Sequence, residues 1–445
     1  MRILILAAAA ALALPAAAQT PVAPSPSVRA MAAGYKALMV CSAIKTAEAA
    51  GGSRTLESVE ANELVGVYPE LDVLVREMPV HIGDRQVSVP WDEAMPPRVA
   101  VYSPGQGCAI QPVGWRGESP GGPRAEVRPN ETFAMAEPTG NVALLNEAIQ
   151  QVFEGDLYGE GINTTAALVL QDGRIVAEEY SEGFGVDTPQ RTWSVGKSLA
   201  GTIIGAAVHR GEADVNAPAA IADWSRPGDP RAAITLDQLM RMASGLTSDT
   251  AGNRTDALYF GGVGIDEQAT TWPLIAPPGS RYRYANNDTL LAVLSIAPTF
   301  ERHPPAALFR RLGMHDTWAE TDWRGNYMLS SQVWTTARDL ARFGQLYLDD
   351  GVLDGERILP VGWRDYVSRP SGPQPNGEQG YGATFWLFDK SEGIPADAIS
   401  ANGNRGQYVI IVPSRNIVIV RRGEDPTGKR FDHVAFTRDV LAALD

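Results

Sequence analysis

Arg191-Thr192-Trp193-Ser194-Val195-Gly196-Lys197-Ser198 lies between a hairpin pattern and a helical one, and its reading decides the fold. Upstream, the apolar runs Ala166 to Leu170 and Ile175 to Tyr180 flank Asp172-Gly173, a dipeptide that favours a two-residue hairpin because both residues tolerate positive φ. Downstream, Leu199, Ile203, Ile204, Ala207 and Val208 recur with the period of one helix face, and Gly211 marks a stop. A sheet therefore leads into a buried helix that begins near Ser194.

A serine hydroxyl attacks well only with a proton acceptor or a cation within hydrogen-bond reach. Ser194 and Lys197 are three residues apart, which puts both on one face of a helix. The free N–H groups and positive dipole end at the start of such a helix favour an alkoxide and an oxyanion. The plainer reading is a capped helix start with a solvated lysine, and the Ser-x-x-Lys spacing alone does not separate the two.

The chain of 445 residues carries 38 basic and 52 acidic side chains, a net charge of −14, which argues against nucleic acid as a partner. Arg2, an apolar run and Ala16-Ala17-Ala18 before Gln19 read as a secretory signal over residues 1–18, cleaved after Ala18, giving a periplasmic or secreted protein. No later stretch is long and apolar enough to predict a membrane span. In an oxidising compartment the two cysteines, Cys41 and Cys108, read as one disulfide. No His/Cys cluster suggests a metal, and the five histidines, His433 among them, show no pairing; a small molecule or short peptide is the expected substrate.

Gly- and Pro-rich residues around 115–137 interrupt every periodic pattern and divide the chain into an N-terminal accessory module, 19–135, and a catalytic body, 136–445. Thr235 with Gln238 and Thr336 with Asp339 are capping-box signals in a middle region, about 212–375, expected to be helical. Strand signals return at Phe385 to Phe388, Tyr408 to Val412 and Ile417 to Val420, before a last helix from His433 to Leu444. The order predicts an α+β fold: an antiparallel sheet flanked by helices, with an inserted all-helical subdomain.

Two further segments carry chemistry. In Arg281-Tyr282-Arg283-Tyr284-Ala285-Asn286, nearby cations are expected to lower the pKa of the Tyr284 phenol, making it an acid or base, and Asn286 is placed to hold a substrate carbonyl or Lys197. Gly403-Asn404-Arg405-Gly406-Gln407 opens a strand where a backbone can approach closely; its plainer reading is a hairpin turn. Trp193, Trp272, Trp323 and Trp334 suit either an aromatic cleft or a core.

Ser194-Val195-Gly196-Lys197, then Tyr284-Ala285-Asn286, then a strand-start glycine, occur in the order found in penicillin-recognising serine hydrolases. With the segments 239–246, 278–286, 336–344 and 381–386, the chain from about residue 140 resembles the class C β-lactamase-like branch. Within that branch it is similar to 6-aminohexanoate-dimer hydrolases and family VIII esterases. The resemblance implies a β-lactamase/transpeptidase-like fold and no cofactor. It implies Ser194 as nucleophile, Lys197 and Tyr284 sharing its proton, Asn286 orienting Lys197 or the substrate, and an oxyanion held by the N–H groups of Ser194 and Gln407 after Gly406. Relatives active on β-lactams or D-Ala peptides carry Lys-Thr-Gly or His-x-Gly at the third motif, where this reading has Asn404-Arg405-Gly406. That departure favours esters or linear amides over a true β-lactamase or D-Ala-D-Ala carboxypeptidase. It also leaves open a non-catalytic cell-wall peptide sensor on the same scaffold.

Overall fold

The computed structural model describes residues 24–117, 133–247 and 257–445; the signal reading over 1–18 and the centre of the linker lie outside them. Helix α1 (Pro26–Ala50) starts at Ser25, whose hydroxyl accepts from the Val28 N–H, and ends at Gly51 with φ 89°. It is rich in alanine and apolar on all sides, so it is buried on all sides. Packed around it are α2 (Leu56–Ala61), α3 (Asp72–Glu77) and an antiparallel sheet of β1 (His81–Ile82), β2 (Gln86–Val89), β3 (Arg98–Ser103) and β4 (Gly107–Ile110). The expected disulfide joins Cys41 on α1 to Cys108 on β4.

These N-terminal elements have no core of their own. Tyr35, Leu38 and Met39 of α1 belong to one continuous cluster with Leu199, Ile203 and Phe260. The buried Arg98 guanidinium donates to Ala30 O at 2.7 Å and across to Phe260 O at 2.8 Å. The segment read as an accessory module is therefore packed into the body.

The body begins with α4 (Val142–Glu154) and the hairpin of β5 (Thr164–Gln171) and β6 (Arg174–Tyr180), turning through Asp172 at φ 52° and Gly173 at φ 73°. After β7 (Gln190–Arg191) and α5 (Val195–His209) come α6 (Leu236–Met240), α7 (Ile265–Gln268), α8 (Asn286–Ser295) and α9 (Pro305–Arg311). Then follow β8 (Thr317–Ala319), β9 (Val333–Thr335), α10 (Ala337–Leu348), the short pair β10 (Val352–Leu353) and β11 (Glu356–Arg357), and α11 (Trp363–Ser368). The chain closes with β12 (Gly380–Tyr381), β13 (Trp386–Leu387), β14 (Ile399–Gly403), β15 (Gln407–Val412), β16 (Ile417–Gly423) and α12 (His433–Ala443).

Seven strands form the main antiparallel sheet in the order β12-β13-β14-β15-β16-β5-β6. Strand alternation sends Leu168, Leu170, Val409, Ile411, Val418 and Val420 into the cluster under α5 and α10. The intervening Ala167, Val169, Ile410, Val412, Ile417 and Ile419 pack under α4 and α12. With helices on both faces, β5, β15 and β16 are buried along their whole length.

The middle region departs from the all-helical expectation. It holds β8 and β9, which pair with each other, β9 pairing in turn with β7, and α10 rests on the main sheet. Strands of three residues buried throughout have no polar alternation for the sequence to display. The fully buried Arg422 of β16 donates to Thr335 O at 2.6 Å and Gln190 O at 2.8 Å, binding this small sheet to the large one. Among the described residues no helix is long and apolar enough to cross a membrane.

The Cys41–Cys108 bridge closes a loop spanning 67 positions. In the chain-entropy picture a loop of that length stabilises by about 4 kcal/mol. Cys108→Ser should lower the denaturant unfolding free energy by up to that amount, and alkylation of the wild type should add no mass until a reductant is present. Free thiols in the unreduced, unfolded protein would contradict the pairing.

Candidate active site

Ser194 is the only residue of the 191–198 run that is not fully buried. The preceding Trp193 is held at φ 48°, a left-handed conformation costing a non-glycine residue about 1–3 kcal/mol. The Arg191 guanidinium covers its indole at 3.7 Å and also bonds the Ser331 hydroxyl at 3.1 Å, so packing sustains the turn that presents Ser194. Ser194 heads α5 without using its side chain as a cap, which leaves Oγ available.

Lys197 is 1% exposed, and its Nζ lies 2.9 Å from Ser194 Oγ, 2.5 Å from Asn286 Oδ1 and 3.0 Å from Ser330 O. Burial disfavours the ammonium and brings the amine down to about 7. A neutral amine has two N–H donors and one lone pair. The Asn286 and Ser330 oxygens can only accept and so use both donors. The lone pair then faces the Ser194 hydroxyl, as a general base requires. Gly196 makes this geometry possible: a Cβ there would stand 2.8 Å from Leu329 O, forcing away the turn that brings Ser330 O to the amine.

Tyr284 and Asn286 reach the site from the entry to α8. Asp288, one turn on, accepts the Ser244 hydroxyl at 2.9 Å, so the 239–246 segment braces that entry. The Tyr284 ring centroid lies 5.0 Å from Lys197 Nζ, and the ring packs against Trp386 at 5.4 Å and Tyr381 at 5.9 Å. Here the expectation of a lowered phenol pKa is corrected. Burial pushes Tyr284 up to about 12, with hydrogen bonds to Ser194 and Trp386 opposing only part of the rise. Nearby cations fail to lower it because the closest one, Lys197, is itself driven towards neutrality. Of the two roles left open for Asn286, the structure shows contact with Lys197.

The third segment is shifted by three residues. Gly403, at the end of β14, is the glycine beside the Ser194 turn: a Cβ on it would lie 2.4 Å from Thr192 O. Asn402, Gly403 and Asn404 line the cleft with Ser194. Arg405, Gly406 and Gln407 turn away into scaffolding. Arg405, at φ 57°, donates to Asn62 O at 2.7 Å and to Glu424 O at 2.9 Å, and Gly406 lies against the buried Arg421. Gln407 is occupied by Arg422 Nε at 2.6 Å and by Gly423 O. Two glycines three apart suit the same motif, and only the approach to Thr192 distinguishes them.

The cleft over Ser194 has a volume of about 550 Å³. Besides the predicted residues it is lined by Tyr259, Gln379, Trp386, Tyr408 and His433, and by Val67–Glu70 from the N-terminal segment. His433 is buried, stacked on Tyr408 at 4.4 Å, and held neutral down to about pH 4 mainly by burial. Of the four tryptophans, Trp193 lines the cleft, Trp334 is core, Trp272 packs half-buried against the core and Trp323 is 40% exposed.

Residues 149–443 match the family described as Beta-lactamase. The 6-aminohexanoate-dimer hydrolase of Paenarthrobacter ureafaciens is 27% identical over 358 residues, covering 73% of this chain and 88% of that protein. A Bacillus anthracis structure provisionally named a 6-aminohexanoate-dimer hydrolase superposes with a TM-score of 0.58 at 24% identity, over 70% of this chain and 87% of that one. A class C β-lactamase superposes at 0.52 with 14% identity, over 68% and 96%. The match over 149–443 takes in the Ser194–Lys197 pair, the Tyr284 segment and the whole seven-stranded sheet, and the chain belongs to the Beta-lactamase family of serine hydrolases.

Proposed function

We propose that this protein is an exported hydrolase that cleaves an ester or a linear amide through an acyl-enzyme on Ser194. The observation that carries the reading is the 2.9 Å contact between Ser194 Oγ and a buried Lys197 amine whose two N–H donors are already engaged. Lys197 Nζ takes the hydroxyl proton as Oγ bonds the substrate carbonyl carbon. The N–H groups of Ser194 and Asn404 would hold the oxyanion, a contribution typically worth about 3–4 kcal/mol. Tyr284, protonated at neutral pH, passes a proton to the leaving alcohol or amine and is reprotonated from Lys197. Water then attacks the acyl carbonyl by the reverse relay.

Two features support esters and linear amides over β-lactams. The residues of this segment that reach the cleft, Asn402, Gly403 and Asn404, carry no cation and no hydroxyl to grip a ring carboxylate. The curated relative is named for a linear amide dimer. Export is supported by the N-terminal sequence and by the Cys41–Cys108 disulfide.

Intact-mass spectrometry during turnover of a p-nitrophenyl ester should reveal a transient acyl adduct that Ser194→Ala abolishes, together with nitrophenol release; equal release from the variant would refute the mechanism. Because the reactive form is the neutral amine, kcat/KM should fall about tenfold per pH unit below the Lys197 pKa of about 7. Asn286→Asp places a carboxylate against the amine, favours the ammonium and should move that acid limb upward by about a unit or more. A limb unmoved by this substitution would mean that another group titrates.

A further inference from the structure

The four residues Val67, Tyr68, Pro69 and Glu70 line the same cleft as Ser194, yet they precede the family match, which begins at residue 149. They sit between α2 and α3 and are anchored at both ends. On one side, Thr427 donates its N–H to Gly66 O at 3.0 Å, and Arg405 donates to Asn62 O at 2.7 Å. On the other, the Tyr68 ring stands edge-on to Tyr35 at 5.1 Å and to Phe260 at 5.2 Å, with Tyr35 and Phe260 in turn 5.3 Å apart. Leu71 and Asp72 donate back to Tyr68 O at 2.8 and 3.0 Å, which makes the segment a tight turn.

The segment thus bridges two stretches that each send a residue into the cleft, Tyr259 next to Phe260 and Arg430 three positions after Thr427. It has firm backing. Tyr35 is fully buried on α1, its hydroxyl donates to Glu63 O at 2.8 Å, and the Arg54–Glu63 ion pair at 2.9 Å is buried beneath. An aromatic trio packed at interior density does not yield to a bulky ligand without losing contacts. Across the rest of the cleft, Trp193, Tyr259, Tyr284 and Trp386 present further rings.

We infer that the Val67–Glu70 turn is a specificity wall that closes one side of the active-site cleft and admits slender, unbranched ester or amide substrates while excluding branched or ring-fused ones. The inference rests on the hydrolase reading above and adds to it the shape of the substrate and a role for the N-terminal elements. On this reading the disulfide and α1 hold part of the substrate-binding surface. Tyr68 and Val67 touch substrate and take no part in proton transfer.

The test uses the full-length protein and two ester series: p-nitrophenyl esters from acetate through octanoate with pivalate as the branched member, and acetate esters of leaving groups from phenol to bulky ring-fused alcohols. Tyr68→Ala should raise kcat/KM for the bulky members relative to the slender ones by tenfold or more in at least one series. Val67→Trp, at a half-buried position, should lower the long or bulky members relative to acetate by a similar factor with the acid limb of the pH profile unmoved. The second variant decides the matter if Tyr68→Ala does not fold. Size ratios within twofold of wild type in both series, for every variant with native circular dichroism, would overturn the wall while leaving the hydrolase reading intact. A wild type that forms no Ser194 adduct with either series would overturn that reading, and this inference with it.

Discussion

A lysine amine sealed from water is the constraint on which the site depends. Lys197 has lost its solvent shell and finds compensation in the hydroxyl of Ser194, one turn back, and in two groups from distant parts of the chain, the amide of Asn286 and the backbone of Ser330. Removing any one leaves a buried polar atom unsatisfied, which typically costs about 1–3 kcal/mol. The entry to α8, the approach of residues 329–331 and the bare backbone of Gly196 all follow from keeping that amine both buried and satisfied. The same burial that makes the amine costly to fold around makes it a base near neutral pH.

A second layer of buried charge holds the frame. Arg421 is paired with Asp425 at 2.8 Å, Arg405 with Glu424 at 2.6 Å, and Arg422 is surrounded by Gln407 and by carbonyls of β7 and β9. Such groups contribute little net stability over well-packed apolar residues, but they tolerate only one arrangement, since a displaced guanidinium would be stranded without acceptors. They fix the end of β14 against Thr192, and with it the position of Gly403 and Asn404 beside Ser194.

What could be read from the sequence was what is local. The Ser194–Lys197 spacing, the Asp172-Gly173 turn, the caps at Thr235 and Thr336 and the strand–helix order each depend on residues a few positions apart, and each is found in the structure. The misreadings concern what only tertiary packing decides. Choosing between Gly403 and Gly406 needed the position of the Thr192 carbonyl, and the direction of the Tyr284 shift needed its burial behind Tyr381 and Trp386. His433, Gln379 and the Val67–Glu70 turn enter the cleft from parts of the chain with no motif to announce them. The N-terminal elements follow the same rule: a helix apolar all round signals burial without saying against what, and α1 finds its partners in the body.

The pairing at the centre of the main sheet has a kinetic consequence. β5 is hydrogen-bonded on one side to β16, with Gln171 opposite Ile417 and Leu170 opposite Val418, so one of its two edges stays open until nearly the whole chain is available. During synthesis α5, which ends at His209, precedes β14, which begins at Ile399 and packs against it. Until the segments bearing Asn286 and Ser330, and then β14 and β15, close over α5, Lys197 keeps access to water and its charged form is favoured. The lowered pKa of the amine therefore appears late, with the completed packing, so the nascent chain carries the Ser194–Lys197 pair with its lysine protonated.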